Sequence, residues 1–362
     1  MNIVDLISAI FEKHLLLISA MSIIGSFLVT NSSLPFVIYF SKVKKLTAKI
    51  NERSSHTEAI PNIGGLGIIA GIYITTLTIS FFCLNYEEIK FIVALFIPLM
   101  FLFFIGFKDD MIGLSAKAKL LTEVITSLVF IILTDYKIDN FYGLFGVHEI
   151  NYVLAILLSV FVFVITINSY NLIDGIDGLA SGIGILAISL FLILNIEIEN
   201  SVAIILCSSI IGSLISFLRF NLNSGNKKIF MGDTGSLVVG FLISVILILS
   251  LDFEQSSKSS FRNIPVLVLA AMSYPYVDTL RVMIIRKLNK RKFYQPDKNH
   301  IHHKLLEFGF THKKSTLIIL ISMLVSILAV YLTKSLDISI HFFISLALTF
   351  IIYLSLLYFF KK

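Results

Sequence analysis

Long apolar runs recur from one end of the chain to the other, and no other feature narrows the fold so far. A hydrocarbon core of about 30 Å is crossed by roughly 17 to 25 apolar residues as a helix, which is the length these runs have. Segments such as VLAILLSVFVFVITI and IGILAISLFLILNI do not alternate polar with apolar residues, so strands of a membrane barrel are excluded. Only 14% of the 362 residues are charged and 57% are hydrophobic, a charged share about half that of a soluble domain. The chain therefore reads as an all-α polytopic membrane protein, a single integral-membrane unit over 1–362. Eleven transmembrane helices are expected, at 17–41, 63–84, 89–107, 119–134, 150–167, 179–195, 201–218, 235–252, 263–284, 315–333 and 339–360. No small-residue cleavage site follows the first run, so it is expected to stay as a span.

Orientation follows from Lys and Arg. Eleven spans divide the loops into two sets, and one set holds only Lys13, Lys90, Lys137, Lys258, Arg262 and Lys334 of the 29 basic residues. The positive-inside rule makes the other set cytoplasmic, which puts the N-terminus outside and the C-terminus inside. The net charge of +6 thus reflects topology in a lipid bilayer, and no nucleic-acid partner is expected, because the basic residues do not decorate a solvated domain. Cys83 and Cys207 fall in apolar runs without metal-ligand spacing, so neither a disulfide nor a zinc site is expected.

Every dense polar cluster falls on the cytoplasmic side of this topology. Asp109, Asp110, Asp174, Asp177 and Asp233 all stand at helix boundaries there. One such acid reads as a solvated end or a helix cap. Five from three separated segments on one face argue for a site, since acids near hydrocarbon are costly. Asp177 and Asp233 each precede an apolar run in the manner of a cap, and a helix N-terminus attracts both carboxylate and phosphate. Were NSYNLIDGIDG helical, Asn171, Asp174 and Asp177 would share a face at i, i+3 spacing. Carboxylates beside such helix ends suit Mg²⁺ with a diphosphate, because Mg²⁺ takes one or two carboxylates and completes its shell with phosphate oxygens and water. His300, His302 and His303 follow PDKN and offer donors for an anion or a sugar; zinc binding and no role at all are the other readings.

Five segments together resemble the polyprenyl-phosphate N-acetylhexosamine-1-phosphate transferase family. They are NERSSH followed by PNIGG (51–65), DDMIGLSAKAK (109–119), NSYNLIDGIDGLASG (168–182), KIFMGDTGS (228–236) and HIHHKLLEFG (300–309), in the family's order. The resemblance implies an eleven-helix bundle in a bacterial inner (plasma) membrane with a cytoplasmic site. It also implies the reaction: polyprenyl (undecaprenyl) phosphate attacks a UDP-N-acetylhexosamine, giving the polyprenyl-diphosphate-sugar and UMP, the first membrane step of a cell-surface polysaccharide such as O-antigen or teichoic acid. HIHH points to the N-acetylglucosamine branch.

By the same resemblance Asp109, Asp110 and Asp233 are catalytic, and Asp233, Asp174 and Asp177 hold Mg²⁺, with Mn²⁺ as the alternative ion. Asp109 and Lys119 meet the lipid phosphate. Asn168, Asn171, Asp174, Asp177, His300, His302, His303, Arg53 and His56 meet the nucleotide sugar. A homodimer is left open. The chain departs from the family at Ala48, Ile50 and Asn62, and either Asn221 or Asn223 stands for the family's Asn ahead of MGD. CDP-alcohol phosphotransferases share Asp174 to Gly178, but Ser181 and Gly182 occupy the places of that signature's Ala-Arg pair. A transporter would set its acids near the midplane rather than on one side.

Overall fold

The computed structural model describes residues 14–44, 46, 60–251, 263–292 and 297–359. Arg53 and His56 lie outside the described residues. Thirteen α-helices occur among the described residues, together with one 3₁₀ turn and an isolated bridge between Asn140 and Glu149. In chain order they are α1 (Leu15–Val43), α2 (Gly65–Cys83), α3 (Tyr86–Ile112), α4 (Ala116–Thr134), α5 (Tyr152–Leu172), α6 (Leu179–Glu197), α7 (Ser201–Asn221), α8 (Gly232–Leu251), α9 (Ile264–Ala271), α10 (Ser273–Leu288), α11 (Ile301–Glu307), α12 (His312–Leu332) and α13 (Ile338–Phe359).

Nine of these are long and apolar enough to cross a membrane: α1, α2, α3, α5, α6, α7, α8, α12 and α13. The single span expected at 263–284 is instead two helices, α9 and α10, bent by 70°. Pro275 sits three residues into α10, where its missing N–H costs nothing, while its ring would clash with a continuous helix one turn earlier. Helix α4 forms where a span was expected, but Lys117, Lys119 and Glu123 leave it no stretch of 18 residues with two charges or fewer, which each of the nine has. Lys119 and Glu123 prove to have partners inside the bundle.

Helix α8 is the axis of the molecule. It is apolar on every face, and such a helix is stable only when surrounded by others; every residue from Thr234 to Leu251 is buried. Around it pack α5, α3, α2, α6, α9 and α7. Phe241 of α8 meets Phe163 of α5 at 5.2 Å and Phe130 of α4 at 5.9 Å between ring centroids. Close helix crossings use small residues, as is usual where lipid removes the hydrophobic drive for association. A Cβ on Gly65 would come within 2.2 Å of the Gly235 nitrogen, so α2 and α8 touch backbone to backbone at the end where the acids lie.

Candidate active site

The site is organised by the N-terminus of α8. Asp110, in the last turn of α3, accepts from the Asp233 N–H at 2.9 Å, from the Thr234 N–H at 2.9 Å, and from the Thr234 hydroxyl. The Gly232 N–H serves Asp174. The cap expected from Asp233 itself is therefore supplied across the fold by two other acids, and the open helix end expected to receive phosphate is filled by carboxylate. Asp233 stands in the first turn with its side chain free to point elsewhere. Gly232 has φ +71°, and a Cβ there would strike the Asn62 carbonyl at 2.0 Å, so only glycine fits this entry.

Asp233 faces Asp109. Lys119 of α4 lies between them, its Nζ 2.7 Å from Asp233 Oδ2 and 3.2 Å from Asp109 Oδ2. Asn171, at the end of α5, donates to Asp233 Oδ1 at 3.1 Å and to the Ser236 hydroxyl at 2.7 Å. Asp109 also accepts from the Leu114 N–H, which turns its carboxyl toward Lys119. Adjacent in sequence, Asp109 and Asp110 thus do different things: one faces the partly open cluster, the other holds a helix end. The backbone of PNIGG runs beside IFMG, with the Phe230 N–H on the Pro61 carbonyl at 2.8 Å and the Gly64 N–H on the Phe230 carbonyl at 2.9 Å. Asn62 donates to the Asp110 carbonyl at 3.2 Å.

The turn between α5 and α6 separates its two acids. Helix α5 ends at Leu172, so Asp174 and Asp177 lie in an irregular turn and do not share a helical face. Burial, reinforced by the charges of Asp233, Asp110 and Asp177, pushes the Asp174 carboxyl well above the usual carboxylate range. Burial also raises Asp177, but hydrogen bonds to His312 and Lys228 more than offset it and leave the group below that range. Lys228 Nζ is 2.7 Å and His312 Nδ1 3.2 Å from Asp177 Oδ2. Asp177 does not cap α6. That helix begins at Gly178, φ +80°, whose N–H is received by Asn221 Oδ1 at 2.6 Å. Asn221 also donates to the Ile229 carbonyl at 3.0 Å, whereas Asn223 is exposed, so Asn221 is the residue that joins this turn to the approach of α8.

The histidines sit on the same turn. Asp278 of α10 is fully buried; it accepts from the Ile301 N–H at 2.9 Å and pairs with His300 Nδ1 at 2.8 Å and Arg281 at 3.0 Å. Arg286 holds Asp297 at 2.7 Å and anchors the start of the segment. His302 is fully buried, and its Nε2 would lie 2.6 Å from a Cβ on Gly175, so a glycine is needed there for the histidine to reach the turn. Burial and then the neighbouring His303 hold the His302 ring down at about 3, which keeps it neutral. His303 lies 4.3 Å from the His302 ring and is partly exposed.

Asn168 donates to Glu123, a buried acid one turn after Lys119 on α4, and to the Val164 carbonyl at 2.8 Å. Glu123, Asp278 and His312 are the members of this network that motif spacing alone does not single out, while Lys228 opens the KIFMGDTGS motif and Asn221 is one of the two asparagines considered ahead of it.

Among the described residues no three His, Cys, Asp or Glu side chains converge as a complete metal-ligand set. Mg²⁺ does not require one. Two facing carboxyls, Asp109 and Asp233, are hard oxygen donors of the kind that such an ion takes from protein while water and phosphate supply the rest. The donor chemistry fits.

Fold and site together define a multi-pass membrane protein that gathers carboxylates, one lysine and amides at one end of its helices. A model of glycosyl transferase family 4 matches residues 92–251, the stretch from α3 through α8. A probable undecaprenyl-phosphate N-acetylglucosaminyl 1-phosphate transferase of Bacillus subtilis (strain 168) is 33% identical over 313 residues, covering 84% of each chain. The undecaprenyl-phosphate alpha-N-acetylglucosaminyl 1-phosphate transferase of Escherichia coli (strain K12) is 28% identical over 84% of this chain and 81% of its own. That of Yersinia pestis is 26% identical over 76% and 73%. The chain belongs to this family of polyprenyl-phosphate sugar-1-phosphate transferases.

Proposed function

We propose that the protein transfers N-acetylglucosamine 1-phosphate from UDP-N-acetylglucosamine to undecaprenyl phosphate at the cytoplasmic face of a bacterial inner membrane. The observation that carries this reading is the Lys119 ammonium set between Asp109 and Asp233, with Asn171 on the far side of Asp233. The names of the relatives supply the substrates, HIHH favours the N-acetylglucosamine donor, and the basic loops favour the cytoplasmic side.

An oxygen of the lipid phosphate attacks the sugar-bearing phosphorus of the donor, that phosphorus–oxygen bond to UMP breaks, and UMP departs. One phosphoanhydride replaces another, so the step is close to thermoneutral. A phosphate monoester has a second pKa of about 6 and is largely dianionic at neutral pH, so positioning and charge neutralisation outweigh base catalysis. Lys119 holds the lipid phosphate, and Asp109 orients it or takes its remaining proton. Asp109 and Asp233 would hold Mg²⁺ or Mn²⁺, with Asp174 contributing to the acidic field. When bound, the ion neutralises charge on the diphosphate oxygens. Asn168, Asn171 and the partly exposed His303 receive the nucleotide sugar, whereas the buried His300, held by Asp278, and the buried His302, packed on Gly175, position that segment. Asp110 positions Asp233 through the end of α8, and Asp177 fixes the turn by its pair with Lys228.

The test is UMP release by the purified chain given UDP-N-acetylglucosamine, polyprenyl phosphate and Mg²⁺. Release that needs all three and falls by roughly 10²-fold or more in Asp233→Asn supports the proposal. Release that is absent for every UDP-N-acetylhexosamine tried, or unaffected by the substitution, overturns it.

A further inference from the structure

A cavity of about 510 Å³ opens between α1 and α7, on a flank that shares no residue with the acidic cluster. It lies at the same end of the bundle, because α7 runs out at Asn221 and the chain then leads directly to Gly232. Three of its lining residues are cations, Lys42, Arg219 and Lys227, and among the described residues no Asp or Glu lines it. The partners that hold two of them are neutral. Lys42 donates to the Asn226 carbonyl at 2.7 Å, and Arg219 to the Asn31 side-chain oxygen at 3.1 Å while lying over the Phe27 ring. The rest of the wall includes Pro35, Tyr39 and Phe220. It continues into a bilayer-facing surface of α1, where Tyr39 is 69% and Phe36 68% exposed.

We propose that this cavity seats the headgroup phosphate of an anionic glycerophospholipid from the adjacent leaflet, with the acyl chains along the exposed face of α1. Among the described residues these like charges converge without a protein counter-ion, and the phosphate supplies it. The positive-inside rule accounts for cations at this end of the helices, but not for three of them lining one cavity whose other wall is apolar. A free anion would satisfy the cations and leave that wall exposed; a phospholipid meets both. The contrast at the other end of the bundle is direct: the cavity of about 620 Å³ there carries Glu87 and Glu88 beside Lys90, and its cation has a protein counter-ion in Glu87 at 3.4 Å.

The full chain is exchanged into nanodiscs of mixed phosphatidylglycerol and phosphatidylcholine, and retained lipid is counted by native mass spectrometry. Wild type should retain phosphatidylglycerol about 10²-fold over phosphatidylcholine, because each of the three juxtamembrane cations contributes of order 1 kcal/mol, about a fivefold preference. K42Q/R219Q/K227Q should lose that preference with its thermal midpoint kept, the three side chains being exposed. K227Q alone, the smallest perturbation, should lose about fivefold. K90Q, at the opposite end, should change nothing. Equal retention of the two lipids by wild type, an undiminished preference in the triple variant, or an equal loss in K90Q overturns the proposal. So does release of the lipid by millimolar inorganic phosphate, which would make the cavity a plain anion site.

Discussion

Asp109 and Asp110 are neighbours in sequence, and removing each carboxyl should have a different consequence. Asp110→Ala strips the acceptor from two N–H groups and one hydroxyl at the start of α8. An orphaned buried donor costs about 1 kcal/mol or more, and a charge lost from a helix N-terminus adds a few tenths to 1. The total is about 3 kcal/mol. Unfolding entropy near 2.1 cal/mol/K per residue amounts to roughly 0.8 kcal/mol/K for a chain of 362 residues, so the thermal midpoint should fall by about 4 °C. Helices that stay folded in detergent contribute less entropy, which makes this fall a minimum.

Asp109→Ala removes one backbone partner and one ion pair from a partly open cluster, and should lower the midpoint by about 1 °C or less. Turnover should reverse the order of severity per degree: Asp109→Ala should cost about 10²- to 10³-fold with near-native stability. Asp110→Asn keeps one acceptor oxygen and should recover part of the stability that Asp110→Ala loses. Thermal scans of purified variants beside UMP-release rates separate the two acids. Equal midpoints for Asp109→Ala and Asp110→Ala would refute the assignment of Asp110 to the end of α8.

Lys119→Met leaves Asp109 and Asp233 facing each other without a counter-charge, and kcat/KM for the lipid substrate should fall by about 10²-fold or more; Lys119→Arg should not restore it, since a planar guanidinium does not occupy the same point between two carboxyls. Glu123→Ala frees the Asn168 amide and should raise KM for the nucleotide sugar, whereas Glu123→Gln, which still offers an oxygen, should stay within a few-fold of wild type in the same kinetic assay. His302 gives a pH dependence of known sign. Its folded value, about 3, lies below an unfolded value near 6.5, so the stabilisation is complete above pH 6.5 and is lost as pH falls toward 3. A slope of up to about 1.4 kcal/mol per pH unit should therefore appear between pH 6 and 4 in denaturation midpoints, and flatten in His302→Gln.

The helices were legible because lipid imposes a simple rule on sequence: a spanning segment is apolar along its length. Their ends were less so. Helix α3 was expected to stop at 107 but runs to Ile112, stopped by Gly113 at φ +78°, so Asp109 and Asp110 are helical and project to different partners. The break at Met272 was written in Pro275, although an apolar run on both sides of it masks the signal. The acids, the asparagines and the histidine triplet were legible as motifs. Their pairing was not, because the partners come from distant segments: Asp110 caps a helix 123 residues away, and Asp177 meets Lys228 and His312 rather than Asp233. Glu123 and Asp278 were invisible for a related reason. Each is a lone acid inside a helix, and only the fold shows that Asn168 and His300 face them.

The central claim is most directly tested by the lipid product itself. Purified protein incubated with UDP-N-acetylglucosamine, undecaprenyl phosphate and Mg²⁺ should convert the lipid, in mass spectrometry, to a species heavier by one N-acetylhexosamine phosphate. Addition of UMP should drive it back to undecaprenyl phosphate. A lipid that keeps its mass, or one that gains a sugar without the second phosphate, would contradict the account.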